Sequence, residues 1–246
     1  MKASLGSVET FGLVDGPGIR CVFFLNGCML RCKYCHNPEM WTKGEENITV
    51  EEVVERAKKC KPYFKDKGGV TFSGGEPLLH SKFIIECAKE LHKEGINVAL
   101  DTAGVGLDDY DEILPYIDLV ILDIKHTDPK AYQVLTGLEQ DRSERFIEAL
   151  KKHNNKLWIR QVVVPGLMDN EAYIDSLVNY LNKFIISNID NIEFLPYHRL
   201  GREKYITLGI EYPYENMNDM NKEECNKLFN LFKEKYNNTY KDSRLN

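Results

Sequence analysis

No stretch of about 18 consecutive apolar residues occurs in this sequence, so no membrane-crossing helix is expected. The opening residues, Met1 to Glu9, lack the apolar core of a secretion signal, and no leader is expected. Positive charge is in deficit: 32 Lys and Arg stand against 38 Asp and Glu, a net charge of −6. Nucleic acids are gripped by basic surfaces, so they are not the expected partner. Linkers, repeats and low-complexity tracts are missing, which points to one domain over residues 1–246. With 43% hydrophobic residues, that length suffices for a full core. The seven cysteines do not form a disulfide-scaffold pattern, being odd in number and spread along a long chain. Such cysteines fit a reducing cytoplasm, where they serve as metal ligands or core residues.

Three cysteines do cluster. Cys28, Cys32 and Cys35 follow the spacing Cys-x3-Cys-x2-Cys within the stretch Asn26–Trp41. Three thiolates on one loop can converge on one centre. No fourth cysteine follows at short spacing, whereas a closed structural zinc site uses four ligands. An iron–sulfur cluster held by three cysteines keeps one iron without a protein ligand, and an open metal position is where chemistry takes place. A zinc site completed by the adjacent His36 is the plainer alternative. Cys21, Cys60, Cys87 and Cys225 lie on apolar stripes and read as core residues.

Residues 1–18 read as an irregular N-terminal loop region ending in Asp15-Gly16-Pro17-Gly18, with a short β-hairpin element ahead of that turn as the alternative. Apolar runs predict six strands, over 19–25, 69–72, 97–100, 119–124, 157–164 and 192–195. Between and after them, periodicity predicts a helix opened by a Thr49/Glu52 capping box and further helices over 81–94, 109–116, 129–135, 143–153, 170–184 and 218–236. Residues 199–216 read as irregular, so 199–246 forms a C-terminal extension and helix whose last ten residues fray. Apolar strands alternating with helices predict an α/β fold built on a parallel sheet. Six such units leave two arrangements open, a partial (β/α)6 barrel and a doubly wound sheet.

The unusual residues follow the predicted strands directly: the cysteine loop, Ser73-Gly74-Gly75-Glu76, Asp101-Thr102, Asp123 with Lys125, Pro165-Gly166 and Tyr197-His198. Sites of parallel α/β folds sit at the C-terminal ends of strands, so one rim gathers every candidate. Each has a bland reading as well. The glycines suit a plain turn, although they also let backbone approach a ligand, with Glu76 available to an ammonium. Asp101 and Asp123 suit turn caps, Lys125 a solvated charge, and His198 a satisfied rim histidine.

Tyr34 before the third cysteine, with Cys28, Cys32 and Cys35, resembles the radical S-adenosylmethionine enzymes. His36-Asn37-Pro38, Asp15-Gly16-Pro17-Gly18-Ile19-Arg20, Ser73–Pro77, Trp158–Gly166 and Leu195-Pro196-Tyr197-His198 narrow the likeness to the pyruvate formate-lyase activating enzymes, a branch of the glycyl-radical-enzyme activases. It runs from about residue 5 to about residue 215. The resemblance implies the partial (β/α)6, TIM-like barrel. It implies a 4Fe-4S cluster on Cys28, Cys32 and Cys35, its open iron chelated by S-adenosylmethionine. Gly75 would meet the methionine amino group. Asp123, Ile124, Lys125 and His198 match positions around the methionine and ribose, and Tyr34 and His36 would flank the adenine and bound cofactor. Asp101, Thr102 and Asp123 match positions that hold a monovalent cation, and Ala103 departs from the Asn or Ser common at that place. Asp15, Gly16, Pro17 and Gly18 would lie near the partner's glycine-bearing peptide, and Arg160 is a further candidate for partner binding. Only Cys60 lies between Asn37 and Gly68, which favours the single-cluster type over activases with ferredoxin-like inserts.

The implied activity is oxidoreductive. A flavodoxin- or ferredoxin-type protein reduces the cluster and S-adenosylmethionine is cleaved to methionine and a 5′-deoxyadenosyl radical. That radical takes hydrogen from a glycine Cα of pyruvate formate-lyase. A cytoplasmic monomer is expected. Activation of another glycyl radical enzyme, a non-catalytic electron-transfer protein and a zinc-stabilised binding module are the alternatives.

Overall fold

A computed structural model of the protein describes residues 1–184 and 188–240. The chain opens with strands β1 (Lys2–Ala3), β2 (Leu5–Gly12) and β3 (Arg20–Leu25), then β4 (Ile48–Thr49) and α1 (Val50–Phe64). The Thr49 hydroxyl accepts from the Glu52 N–H, and the Glu52 side chain accepts from the Thr49 N–H, so the expected capping box is present. There follow β5 (Gly69–Gly74), α2 (Ser81–Lys93), β6 (Asn97–Thr102), α3 (Tyr110–Ile113), β7 (Leu119–Asp123), α4 (Pro129–Thr136) and α5 (Asp141–His153). The chain continues through β8 (Lys156–Val163), α6 (Glu171–Phe184), β9 (Ile189–Pro196), α7 (Arg202–Leu208) and α8 (Lys222–Tyr240).

Strands β3, β5, β6, β7, β8 and β9 pair in parallel, and their order in the sheet follows their order in the chain. That resolves the choice left open by periodicity. A doubly wound sheet reverses direction midway. Here the order never reverses, so right-handed crossovers place the helices on one face and the sheet curls about the other. The result is the expected partial (β/α)6 barrel. β2 joins antiparallel beside β3, and β2 and β9 end the sheet, so the barrel stays open.

Alternation along the strands separates two environments. Phe23 and Leu25, Val70 and Phe72, Val98 and Leu100, Val120 and Leu122, and Leu157 and Ile159 all belong to the main core. Their neighbours face the lumen. Low in the barrel, Ala99, Leu119 and Ile121 pack with Trp158. Above them the lumen turns polar, with Ser73, Asp101, Asp123 and Arg160 lining one cavity. α8 closes the open side of the core: Phe194 of β9 meets Phe229 and Phe232 at ring separations of 5.2 and 5.3 Å. Cys21, Cys60, Cys87 and Cys225 are buried, as their apolar stripes imply, and all seven cysteines are free.

Three expectations need correction. Residues 1–18 are not a loop throughout, because Leu5–Gly12 forms β2 along the edge of β3. Its outward residues are exposed, so only pairing with β3, invisible in local sequence, makes it a strand. Residues 199–216 contain the helix α7, which buries Tyr205 alone and therefore shows no apolar stripe. The final helix continues to Tyr240, past the point where fraying was expected, and 241–246 lie outside the described residues.

The loop Leu13–Ile19 closes the barrel floor around Arg20, which is fully buried. Arg20 Nε donates to Thr71 Oγ1 at 2.9 Å, Nη1 to Asn97 Oδ1 at 2.9 Å and Nη2 to the Val70 carbonyl at 2.5 Å. Thr71 in turn donates to the Asp15 carbonyl at 2.7 Å. Burial pushes the Arg20 pKa down to about 10. Arg20→Met keeps the volume but strands these acceptors in the interior. It is expected to cost about 2–4 kcal/mol in urea unfolding, and a loss within about 0.5 kcal/mol of zero would show that Arg20 does not organise the floor.

Candidate active site

The cysteine loop leaves β3 through a narrow neck of backbone hydrogen bonds. Gly27 N donates to the Met40 carbonyl at 2.8 Å and Cys28 N to that of Trp41 at 3.1 Å. From β5, Gly75 N reaches the Leu25 carbonyl at 2.9 Å and Glu76 N that of Gly27 at 2.8 Å. Side chains do not fit between these layers. A Cβ on Gly75 would stand 2.4 Å from the Gly27 carbonyl oxygen and 2.7 Å from that of Met40. The far side of the loop rests on the end of α4, where Arg31 N donates to Thr136 O at 2.7 Å and Lys33 N to Leu135 O at 3.0 Å.

Cys28, Cys32 and Cys35 line one wall of a cavity of about 350 Å³. Burial, then the nearby Glu76 and Cys32, pushes the Cys28 thiol up to about 12. Burial holds Cys32 at about 11 despite the opposing Lys125 charge, and raises Cys35 as well. The thiols are therefore protonated until a metal takes them as thiolates. Among the described residues, no three His, Cys, Asp or Glu side chains gather as a ready pocket for a single ion. A cubane cluster does not require that, since its cysteines bind separate irons. Three free, mutually interacting thiols on one cavity wall fit such a cluster.

Much of the remaining lining is polar. Lys125 Nζ is 2.8 Å from Asp123 Oδ2 and 5.5 Å from the Tyr34 ring centre. Burial opposes the Lys125 charge, but Asp123, then Tyr34 and Cys32, outweigh it and raise its pKa. Asp123 Oδ1 and the Tyr34 hydroxyl are buried without a hydrogen-bond partner among the described residues. Asp101 Oδ2 accepts from Ser73 at 3.0 Å and from Arg160 Nη1 at 3.2 Å. Burial lifts Asp101 to about 6, Arg160 opposing. Arg160 also donates to Glu193 Oε1 at 2.8 Å and to the Val14 carbonyl at 2.7 Å. The His36 and His198 rings stack with centres 4.2 Å apart, and His36 Nε2 lies 3.0 Å from the His198 carbonyl oxygen. Burial lowers the His36 pKa.

The cavity thus brings together Cys28, Cys32, Tyr34, Cys35, His36, Gly75, Asp101, Thr102, Asp123, Lys125 and His198, and Asp15 reaches it from the floor. Ile124 does not line it; that side chain is buried beneath the strand end and its N–H donates to the Arg160 carbonyl at 2.9 Å. Gly16, Pro17 and Gly18 are also outside the cavity wall. Gly16 lies against the Arg20 side chain and Gly18 against Gly68. Glu76 is not available to an ammonium. It is 1% exposed and accepts from Thr102 Oγ1 at 2.5 Å, Ala103 N at 2.9 Å and Leu78 N at 3.1 Å. The Ala103 position therefore contributes its backbone rather than a side chain. Arg160 is turned inward, bridging β6, β9 and the floor loop. Ser73, Trp41, Val162 and Leu195 complete the wall. The signal for several of these was present: Arg160 and Val162 on β8, and Glu193 and Leu195 on β9, share a face at the two-residue period.

Gly75→Ala is expected to spread the neck and lower stability by about 1–3 kcal/mol. Cluster content after anaerobic reconstitution should fall with it; full content in a variant of unchanged stability would refute the tight neck. Glu76 tests the second brace. Burial, against its three hydrogen bonds, raises its carboxyl from 4.5 to about 7. The linked stability is full below the unfolded value of 4.5 and is lost as pH rises through about 7. Glu76→Gln places an amide donor among donors and should cost about 1–3 kcal/mol. The wild-type advantage should narrow between about pH 5 and about pH 8; an advantage that grows would contradict the raised carboxyl.

Residues 22–177 match the Radical SAM superfamily. The pyruvate formate-lyase-activating enzyme of Clostridium pasteurianum is 45% identical over 230 residues, covering 93% of this chain and 96% of that protein. The enzyme of the same name from Staphylococcus epidermidis is 40% identical over 227 residues, covering 88% and 90%. Among solved structures, a domain of pyruvate-formate lyase-activating enzyme from Bacteroides vulgatus matches with a TM-score of 0.54 at 24% identity, over 68% of this chain and 94% of that one. Streptococcus suis SuiB bound to S-adenosylmethionine matches with a TM-score of 0.63 at 16% identity, over 87% and 46%; both are likenesses of fold. Full-length similarity and a three-thiol cavity at the barrel rim agree: this chain belongs to the radical SAM superfamily and, within it, to the family of the pyruvate formate-lyase-activating enzymes.

Proposed function

We propose that this chain activates pyruvate formate-lyase by making a glycyl radical in it, with methionine and 5′-deoxyadenosine as the other products. The carrying observation is that three free thiols and the Asp123–Lys125 pair line one cavity. When bound, the 4Fe-4S cluster and S-adenosylmethionine supply the one-electron cleavage of the sulfonium and the removal of one hydrogen atom from the glycine Cα.

The chain's own residues hold and enclose these groups. Cys28, Cys32 and Cys35 would hold the cluster as thiolates. The bare backbone of Gly75 admits the methionine amino group. Asp123 spends Oδ2 on Lys125 and keeps Oδ1 for the ligand, while Lys125 offers the buried positive charge. Ile124 anchors the strand end between them. Tyr34, His36 and His198 line the adenosine side. Asp101 spends only Oδ2 on Ser73 and Arg160, so its other oxygen, with Thr102 and Asp123, is assigned to a monovalent cation. Asp15, Gly16, Pro17 and Gly18 are assigned to the partner's glycine-bearing segment, and Asp15 is the one that faces the cavity. Phe24, Leu30, Val162 and Leu195 are the apolar wall that keeps water from the reacting carbon.

One domain carries the activity, since the sheet runs from Leu5 to Pro196 and α8 packs back on it. A monomer suffices, because this single chain supplies the whole cavity wall. A flavodoxin- or ferredoxin-type donor and a reducing cytoplasm fit seven free cysteines, and no described helix is long and apolar enough to cross a membrane.

After anaerobic reconstitution, the protein should hold about four irons and four sulfides and form 5′-deoxyadenosine under dithionite. Mixed with pyruvate formate-lyase it should give a glycyl radical in electron paramagnetic resonance. Cofactor cleavage with no such signal would assign the chain to another glycyl radical enzyme. No cleavage by the loaded protein would end the radical reading. Cys32→Ala should lose the cluster; a variant that keeps it in full would show the ligands are wrongly chosen.

A further inference from the structure

The cavity is entered by the glycine-bearing partner, so its mouth is committed. The same cysteines have a second side. Behind them, Cys28 and Cys32 pack with Met29 and Leu138, which are only half-buried. Arg31 stands over this layer, exposed but pinned: Nη1 donates to the Cys28 carbonyl at 2.7 Å and the guanidinium lies 5.0 Å from the Trp41 ring centre. The back of the cysteine loop is therefore one residue layer from solvent.

The charge of this face is unlike that of the chain. The net charge is −6, yet neither Asn26–Pro38 nor the α4 segment Pro129–Leu138 contains a single carboxylate. The two segments lie side by side through the Arg31–Thr136 and Lys33–Leu135 backbone bonds. They present Arg31, Lys33 and Lys130, and none of the three has a carboxylate partner among the described residues. One turn beyond Lys130, on the same face of α4, Val134 is 65% exposed. An exposed valine one turn from Lys130, on a helix whose end carries the Arg31–Lys33 side of the cysteine loop, suits transfer of an electron rather than of an atom; Asp128 and Glu139 bound the segment at its two ends. An electron tunnels through a thin protein layer, whereas a glycine Cα must enter the cavity.

We infer that the face formed by Arg31, Lys33, Lys130 and Val134 is the docking surface for an acidic one-electron carrier protein. The donor and the glycine-bearing partner then use opposite sides of the cysteine loop and can be bound together. The inference rests on the functional reading above.

The test follows reduction of the cluster-loaded protein by flavodoxin hydroquinone in anaerobic stopped flow, with no partner enzyme present. Screening that shortens the Debye length from about 20 Å to about 4 Å should slow wild-type reduction about tenfold or more. The double variant Lys33→Glu/Lys130→Glu should lower the low-salt rate constant about tenfold and flatten its salt dependence. Calorimetric affinity for oxidised flavodoxin should fall in step. Val134→Asp, which touches no cysteine, should give the same losses. Iron content and reduction by photogenerated 5-deazaflavin radical, small and uncharged, should not change. Flavodoxin rates indifferent to these charges would overturn the docking surface. So would equal slowing with deazaflavin, or a loss of affinity for pyruvate formate-lyase in place of flavodoxin. Failure of the underlying reading looks different: deazaflavin-reduced protein would form no 5′-deoxyadenosine at all.

Discussion

Everything the cavity does depends on a layer of backbone with no room for side chains. Gly27, Met40 and Trp41, and Gly75 with Glu76 are tied by four backbone hydrogen bonds of 2.8 to 3.1 Å. This neck fixes where the loop leaves β3 and returns, so the cysteines between are held at one wall although the loop has little regular structure of its own. Only Pro38–Met40 within it is helical, as a single 3-10 turn. The constraint is mutual. Glycine at position 75 is needed for the neck to close, and the same missing Cβ leaves backbone open to a ligand. Packing and binding thus ask for the same residue.

The second brace is electrostatic. Glu76 carries the neck's β5 strand into β6 by accepting from Thr102 and Ala103. Arg160 does the corresponding work across the lumen, tying Asp101 of β6 to Glu193 of β9 and to the floor loop at Val14. Removing one partner of such a buried network leaves uncompensated charge in the interior, which costs far more than an exposed pair is worth. An open barrel lacks a closing strand pair. Charge bridges across its lumen supply part of the cohesion that closure would give.

Local signals were legible in the sequence, and relational ones were not. The capping box at Thr49 and Glu52 lies within four residues, and it is present. The six parallel strands carry strong apolar runs, and all six are found. The cysteine spacing marked the site at once. β2 reads only as an optional hairpin element, because its residues are mostly exposed and pairing with β3 is what makes it a strand. α7 escaped because it buries only Tyr205. Glu76 was misread for a third reason. A carboxylate after two glycines looks like a ligand group, but two of its three donors, the Thr102 hydroxyl and the Ala103 N–H, lie at the end of a neighbouring strand that no reading of residues 73–77 could place. Arg160 reads as a partner-binding candidate but is spent inside the barrel on Asp101, Glu193 and Val14, since strand residues alternate and sequence does not say which face is the lumen.

The distribution of charge in the cavity also bears on what it holds. Lys125 is its buried cation on the cysteine side, already matched by Asp123. Arg160 is consumed by Asp101 and Glu193. Asp123 Oδ1 remains as a buried acceptor without a partner, and Asp15 stands at the floor. A purely anionic ligand such as a polyphosphate would meet uncompensated acids here and few donors. A ligand with cationic nitrogen and sulfur at one end and a carboxylate near Lys125 meets its complement. Burial keeps the thiols neutral until metal arrives, so the empty cavity does not have to carry three thiolates beside these acids. The charge pattern therefore suits a zwitterionic ligand better than a purely anionic one, independently of the cysteine spacing.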